Sequence, residues 1–145
     1  MPTRNASATW EGGLREGKGS FRGESGAIDA SYSFGSRFGD SGGTNPEELL
    51  AAAEAACFSM ALAVGLEQAG TPATRVHTDA ACTVEKVEDG FKITTIKLRV
   101  RAQVPGIDDA AFQQAAEATK KGCPVSKALS GVDIQMEAVL EQANS

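Results

Sequence analysis

The chain has 145 residues, of which 41% are hydrophobic and 23% are charged, and its formal net charge is -5. These values predict a single domain, residues 1–145, with enough length to bury a sizeable core. Because the charge is negative and no run of lysine and arginine occurs, neither nucleic acid nor an anionic membrane is an expected partner. The N-terminus lacks the apolar stretch of a signal peptide, and three widely spaced cysteines do not form a disulfide scaffold, so we expect a cytoplasmic protein.

Short β segments separated by glycine-rich turns are predicted for the first part of the chain. The segments span residues 8–11, 19–22 and 28–34, and most of the sixteen glycines precede residue 45. Apolar and polar residues alternate in the third segment, as in a half-buried strand. Residues 35–43 are predicted to form a loop that leads to a helix.

One long helix is predicted for residues 45–69. Asn45 suits the N-cap position, and Glu48 three residues later completes a capping box. Apolar residues recur along the helix at spacings of three and four, on a stripe that is expected to face the core: Leu50, Ala53, Cys57, Met60 or Ala61, and Val64. Because Glu54 interrupts the apolar run, a core helix is favoured over a membrane span.

Two long strands, residues 75–87 and 91–104, are predicted to follow as a hairpin with an Asp-Gly turn. The alternation changes phase within the second strand. A bulge near Thr94 and Thr95 reconciles the two phases.

The last third of the chain predicts two more helices and a strand. Asp108 is a plausible cap for a helix that ends at Gly122, a short helical turn spans residues 124–129, and residues 132–140 alternate as a strand. The element order predicts an α+β domain in which antiparallel sheets pack around the long helix.

Cys57 and Cys123 are the two candidates for thiol chemistry. Cys57 alone would be read as a small buried hydrophobe, the usual state of a free cysteine. Cys123, however, directly precedes Pro124 at a helix start, where unpaired amides and the helix dipole stabilise a thiolate. The two thiols form one redox pair only if the fold brings their helices together, which spacing alone does not show. Cys82 is predicted to be a strand residue without a role.

Metal and phosphate sites are the first rival interpretations. A metal site needs three or four ligands in a recognisable spacing, and the chain has one histidine, His77, and no Cys-x-x-Cys. Residues 39–43 are rich in glycine but lack the Lys-Ser/Thr of a P-loop. We therefore predict no metal and no cofactor.

One hypothesis for Cys57 is a thiolate that reduces peroxide. If Cys57 has this role and no histidine base, it needs a cation, most simply an arginine held by a carboxylate. Arg37, just before the long helix, is the best-placed arginine. Glu48 already has a role in the capping box, and Glu54, one turn before Cys57, would raise its pKa by like-charge repulsion. Glu47 has no local role and is the best candidate for the carboxylate.

Three stretches carry specific motifs: Gly43–Leu49, Ala55–Leu62 and Gly122–Ser126. They resemble the OsmC/Ohr family of thiol peroxidases, and the Trp10–Gly12, Gly17–Gly19 and Ser36–Phe38 segments resemble its OsmC branch. The resemblance implies a peroxidase that reduces organic hydroperoxides, and less efficiently hydrogen peroxide, in defence against oxidative and osmotic stress.

The same resemblance implies roles for four residues. Cys57 matches the peroxidatic cysteine, Cys123 the resolving cysteine to which it forms a disulfide, and Arg37 and Glu47 the arginine and glutamate of the family. It also implies an intertwined homodimer with active sites at the interface, reduction by an external dithiol, and no metal, flavin or haem.

Helix geometry bears on the dimer independently. Glu47 and Cys57 are ten residues apart on one helix, which is roughly 15 Å along its axis. Glu47 can therefore assist Cys57 only if Arg37 reaches back along the helix or if the glutamate comes from a partner chain. We favour the partner chain.

Two other classes of function remain open from the sequence. A non-catalytic module could use the helix-lined pocket to bind a small apolar ligand, in which case peroxide leaves both thiols unmodified. A structural stress protein could hold the thiols only as core residues, in which case neither reacts with an alkylating agent before unfolding.

Overall fold

A computed structural model describes residues 1–141 of the chain. The chain divides into two compact units, Met1–Leu49 and Leu50–Ser145. Helices and strands occur together, so the predicted α+β class is confirmed. That residues 1–145 act as a single domain stays a prediction.

The first unit contains a three-stranded antiparallel sheet in the order β1-β2-β3. The strands are β1 (Ala6–Glu11), β2 (Lys18–Gly23) and β3 (Asp29–Tyr32). One face carries an aromatic cluster in which the rings of Trp10 and Phe21 lie 5.4 and 5.5 Å from the ring of Tyr32. The three predicted strands are confirmed, the third shorter than expected.

A short helix, α1 (Phe34–Phe38), occupies the place where a strand end and a loop were predicted. Those predictions were wrong because Ser33 and Ser36 cap the helix reciprocally. The Ser33 hydroxyl accepts a hydrogen bond from the Ser36 backbone N–H, and the Ser36 hydroxyl accepts one from the Ser33 backbone N–H. Two hydroxyl residues at this spacing start a helix, a signal that the alternation of the preceding strand obscured.

The long helix α2 (Pro46–Gln68) begins and ends where the sequence predicted. Asn45 Oδ1 accepts a hydrogen bond of 2.8 Å from the Glu48 backbone N–H, as expected of an N-cap. The Glu48 side chain also takes part at this helix start, because its carboxylate accepts a hydrogen bond of 2.6 Å from the Thr44 hydroxyl. Gly70, with a φ of 88°, turns the chain away after the helix.

The buried face of α2 differs from the prediction. Glu54, Phe58, Leu62 and Leu66, four residues apart, are at most 1% exposed, whereas Met60, which the predicted stripe included, is 72% exposed. The prediction was wrong because α2 is apolar on nearly every side, so periodicity does not select one face. By length and composition α2 could also cross a membrane, a test that core helices of soluble proteins pass as well.

The second unit contains a mixed three-stranded sheet in the order β4-β5-β6. The strands are β4 (Arg75–Val87), β5 (Gly90–Gln103) and β6 (Asp133–Glu141). β4 and β5 form the predicted hairpin, and the predicted bulge is confirmed, because Thr83 pairs with Thr95 while Val84 pairs with Ile93, leaving Thr94 unpaired.

β6 pairs with β5 in parallel, whereas the sequence predicted only antiparallel pairing. The reason is the connection between them. It contains two helices, α3 (Asp109–Gly122) and α4 (Pro124–Ala128), and a helical crossover brings the chain back in the direction of the first strand. Asp108 caps α3 as predicted, with its Oδ1 accepting a 2.7 Å bond from the Ala111 backbone N–H.

The core of the second unit lies among α2, α3 and β5. Its buried residues are Phe58, Leu62, Leu66, Ile96, Leu98, Val100, Ala102, Val104 and Phe112. Cys57 lies on α2, a helix of this core, and Cys123 directly follows α3.

Leu98→Ala should lower the free energy of unfolding by about 2–5 kcal/mol, because Leu98 is 0% exposed and its truncation leaves a cavity. Urea unfolding followed by circular dichroism measures the loss. The matched control is Leu14→Ala, since Leu14 is 60% exposed and its truncation should cost under about 0.5 kcal/mol. Equal losses in the two variants would contradict this core.

Candidate active site

The fold brings Cys57 and Cys123 together, which answers the question that their spacing left open. The Cys123 thiol donates to the Cys57 sulfur, with the two Sγ atoms 2.8 Å apart, and both cysteines are free. A disulfide bond measures about 2.05 Å, so the sulfurs need to approach by less than about 1 Å to form one.

Each thiol is positioned by a helix. Cys57 lies on the flank of α2 beside the buried Phe58 and is half-buried, not fully turned into the core as predicted. Cys123 joins the end of α3 to the start of α4 and is 1% exposed. The more exposed sulfur is therefore that of Cys57, as the nucleophile of a pair requires.

The surroundings of Cys57 within one chain favour its protonated form. Burial raises the pKa of the Cys57 thiol, followed in effect by its hydrogen bond with Cys123 and by the charges of Cys123 and Glu54. A hydrogen bond from the Val125 backbone N–H lowers that pKa, but the raising effects exceed it. The like-charge effect expected of Glu54 is present.

The start of α4 contacts the sulfur of Cys57. Cys123 occupies the N-cap position of α4, but its side chain makes no capping hydrogen bond. Its thiol turns to Cys57 instead, and the amide of Val125, in the first turn of α4, bonds the Cys57 sulfur. The sequence predicted that these amides act on a thiolate but placed the effect on Cys123.

A second contact joins α2 to α4 next to the sulfurs. Glu54 is 0% exposed, and its Oε1 accepts a hydrogen bond of 2.5 Å from the Ser126 hydroxyl. Its Oε2 is buried and has no hydrogen-bond partner among the residues that the structure describes. Sequence reasoning missed this pair, although a carboxylate in an alanine-rich helix was a signal that it had a specific partner.

Arg37 and Glu47 form an ion pair within the first unit. Arg37 Nε lies 3.0 Å and Nη2 lies 2.9 Å from Glu47 Oε1. Glu47 is 6% exposed, and the Arg37 guanidinium stacks on the Phe38 ring at 5.1 Å. The sequence-predicted arginine and carboxylate are thus partners in one chain, with the guanidinium held in a fixed orientation.

Two cavities accompany these groups. One of about 270 Å³ lies beside Arg37 in the first unit and is lined by Trp10, Leu14, Tyr32, Ser33, Phe34 and Phe38. The other, of about 760 Å³, lies between α2 and α3 in the second unit, with mostly small and apolar walls, and reaches Cys123. Apolar walls suit an organic substituent more than a fully polar one.

The chemistry open to these groups is thiol chemistry. Within residues 1–141, no group of three or more histidine, cysteine, aspartate or glutamate side chains could hold a metal ion. The two sulfurs can be oxidised together to a disulfide. A guanidinium held by a carboxylate can stabilise an anion such as a thiolate.

Comparison with known proteins gives consistent results across the chain. The family model described as "OsmC-like protein" matches residues 39–137. Peroxiredoxin OsmC of Escherichia coli (strain K12) is 43% identical over 139 residues, which is 93% of this chain and 97% of that protein. The organic hydroperoxide resistance protein of Xanthomonas axonopodis pv. citri is 35% identical over 138 residues, 92% of each chain.

Solved structures agree with the sequence relatives. OhrB of Bacillus subtilis, an organic hydroperoxide resistance protein, superposes with a TM-score of 0.71 and 28% identity, covering 93% of this chain and 98% of that one. An organic hydroperoxide resistance protein of Elizabethkingia anophelis superposes with a TM-score of 0.76 and 25% identity, covering 97% and 98%.

Proposed function

The chain belongs to the OsmC-like protein family, and on that premise we propose that it is a cysteine-based peroxidase that reduces organic hydroperoxides, and hydrogen peroxide less well, to alcohols or water. One observation carries the proposal: Cys57 Sγ and Cys123 Sγ are 2.8 Å apart, and an apolar cavity reaches Cys123. Relatives named peroxiredoxin OsmC and organic hydroperoxide resistance protein support the reaction class. We also propose that the protein acts in the cytoplasm, in defence against oxidative and osmotic stress.

In the first step, the Cys57 thiolate attacks the distal oxygen of the hydroperoxide. An S–O bond forms and the O–O bond breaks, so Cys57 becomes a sulfenic acid. The alkoxide leaves and takes a proton to become the alcohol. The half-buried position of Cys57 leaves part of this residue accessible to the peroxide.

In the second step, the Cys123 thiol attacks the sulfenic sulfur. An S–S bond forms, the S–O bond breaks, and the hydroxyl leaves with the thiol proton as water. An external dithiol then reduces the disulfide by two thiol–disulfide exchanges. No step of this scheme requires a metal or a cofactor.

The scheme needs a cation at Cys57, because the pKa of its thiol is raised by burial and by its neighbours. The Arg37–Glu47 pair supplies one. Because Glu47 precedes Cys57 by roughly 15 Å of helix, we propose that the intact pair reaches the Cys57 of a second copy. The sequence predicted that the glutamate comes from a partner chain; because Arg37 and Glu47 pair within one chain, both would come from the same copy.

A homodimer also accounts for the exposed face of α2. Its apolar residues Ala52, Ala56, Met60 and Val64 are exposed at spacings of four, and Met60 and Val64 are 72% and 40% exposed. A continuous apolar strip of this kind on a long helix is typical of an interface. We propose that a second copy of the chain covers it and places one active site at each end of the interface.

A disulfide map tests the proposed reaction. One equivalent of an organic hydroperoxide should produce a Cys57–Cys123 disulfide, seen as the loss of two hydrogens in the intact mass and as a crosslinked peptide pair after digestion. Cys82 should remain reduced and serves as the internal control. Thiols left unmodified by peroxide would support the non-catalytic binding module and sink the proposal.

A further inference from the structure

We infer that Glu54 is a positioning residue for disulfide formation: through Ser126 it holds the start of α4 so that Cys123 meets Cys57. The inference rests on the proposed function and concerns its second step. Glu54 is the one buried carboxylate in the part of the second unit that the structure describes, and the scheme above gives it no role.

Two parallel contacts connect the same pair of helices. Glu54 precedes Cys57 by three residues on α2, and Ser126 follows Cys123 by three residues on the α4 side. Residues three apart share one face of a helix. The Glu54–Ser126 bond of 2.5 Å and the Cys57–Cys123 contact of 2.8 Å therefore lie one helical turn apart between the same two elements.

α4 depends on such a contact for its orientation. It has five residues, too few for a helix that is stable by itself. Ser126 is 6% exposed, and its hydroxyl bonds a carboxyl that belongs to the rigid core helix α2. Because Cys123 immediately precedes α4, any rotation of this short helix displaces the Cys123 sulfur.

The free-energy cost of burying the Glu54 carboxyl group supports a specific role for this residue. Burying a carboxyl group at 0% exposure is unfavourable unless hydrogen bonds compensate, and the bond from Ser126 reaches only one of its two oxygens. An alanine or leucine at this position of an apolar helix would avoid that cost. Glu54 is thus tolerated for its contact with α4 and not for packing.

The two steps of the reaction should respond differently to loss of the contact. Attack on peroxide requires the Cys57 thiolate, and removing the negative charge of Glu54 eases the formation of that thiolate, since this charge helps to raise the pKa of Cys57. Disulfide formation requires the Cys123 sulfur to lie in line with the S–O bond that breaks. A shift of about 1 Å can slow such a step by up to about 100-fold.

The test compares Glu54→Ala, Ser126→Ala and Glu54→Gln with the unaltered protein in rapid-quench experiments. Sulfenic acid is trapped with a dimedone probe, and the disulfide is quantified by intact mass. In both alanine variants, disulfide formation should slow by about tenfold or more, while sulfenic acid forms within about twofold of the normal rate. Excess peroxide should convert a larger share of Cys57 to sulfinic acid.

Glu54→Gln separates positioning from charge. The glutamine amide oxygen still accepts a hydrogen bond from the Ser126 hydroxyl, so this variant should restore disulfide formation to within about threefold of normal. The double variant Glu54→Ala/Ser126→Ala should be no slower than either single variant, because both remove the same contact. Glu67→Ala, at an exposed glutamate of α2, is the matched control and should behave normally.

The outcomes are distinguishable from a failure of the proposed function. If the unaltered protein forms no Cys57–Cys123 disulfide, the proposed function fails. If it forms one and both alanine variants do so at the same rate, only the role of Glu54 fails. Glu54→Gln as slow as Glu54→Ala would also overturn it. If Glu54→Ala does not fold, the rate of disulfide formation in Ser126→Ala decides whether Glu54 has this role, because Ser126→Ala leaves the carboxyl in place.

Discussion

Replacing Cys57 with serine should abolish the consumption of organic hydroperoxide, with kcat/KM lower by at least about four orders of magnitude. A serine hydroxyl is almost entirely protonated at neutral pH, and neither Arg37 nor the Val125 amide is a base that could remove its proton. Consumption of cumene hydroperoxide in the presence of a dithiol measures the loss. In the proposed scheme, the first bond of the reaction cannot form without the sulfur of Cys57.

Cys123→Ser should behave differently and thereby separate the two thiols. Cys57 still attacks peroxide once, but its sulfenic acid has no partner thiol and persists. One equivalent of alcohol should appear in a burst, and added peroxide should then oxidise Cys57 to sulfinic acid. Intact mass distinguishes the two products by one oxygen atom.

Cys82→Ser is the matched control for both variants. Cys82 is half-buried like Cys57, so the same substitution is made at a depth comparable to that of Cys57, on a strand, β4, that carries neither Cys57 nor Cys123. It should retain nearly normal turnover. Full turnover by Cys57→Ser, or loss of turnover in Cys82→Ser alone, would contradict the assignment of the peroxidatic cysteine.

Local signals predicted much of the fold. The alternation around Thr94 predicted a bulge because the phase of a strand is set by its nearest neighbours. Asn45 and Asp108 predicted helix starts because a cap acts within three residues. The parallel pairing of β6 with β5 could not be read in this way, since the direction of a strand depends on the crossover that precedes it.

The buried face of α2 was the second feature that the sequence predicted wrongly, and the cause was different. Alanine contributes little to either a polar or an apolar face, so the positions of Leu62 and Met60 were nearly equivalent in the sequence although one is 0% and the other 72% exposed. Only packing against β5 and α3 distinguishes them. A helix that is apolar all round must bury its second face against something else, which again favours a partner chain.

Residues of the candidate site could be predicted from the sequence where the residue type itself implies a chemical role. Two thiols, an arginine and a spare glutamate could be named because few other roles suit them at those positions. The Glu54–Ser126 bond could not, because its members are 72 positions apart and neither belongs to a recognisable motif. Pairing at that distance is decided by how α4 folds back on α2.

Arg37→Ala should lower kcat/KM at neutral pH by about 100-fold, because in the proposed scheme the guanidinium is the cation that stabilises the Cys57 thiolate. Without it, the pKa of Cys57 is governed by burial, Cys123 and Glu54, which all raise it. The thiol is then protonated below that raised pKa, so the rate should climb with pH and recover in part at alkaline pH. Alkylation of Cys57 by iodoacetamide across a pH series measures the midpoint, which should move upward.

Arg101→Ala provides the matched control, since Arg101 is an exposed arginine of β5 that pairs with Asp79. It should leave both the rate and the pH midpoint unchanged. The rate and the pH midpoint of Glu47→Gln should lie between those of Arg37→Ala and Arg101→Ala. In Glu47→Gln, Arg37 keeps its charge but loses the carboxylate that orients it. An unchanged midpoint in Arg37→Ala would contradict a role for Arg37 at Cys57.

Mixing two inactive variants decides which subunit supplies the Arg37–Glu47 pair. If the pair serves the partner's thiol, a dimer of one Arg37→Ala chain and one Cys57→Ser chain contains one complete site, made of an intact Cys57 and an intact Arg37 from different chains. Refolding equal amounts together makes half of the dimers mixed, so activity should return to about a quarter of normal. If the pair serves its own chain, no mixed dimer has a complete site, and the mixture stays as inactive as its components. Because the roughly 15 Å between Glu47 and Cys57 along α2 argues against service within one chain, we expect the activity to return.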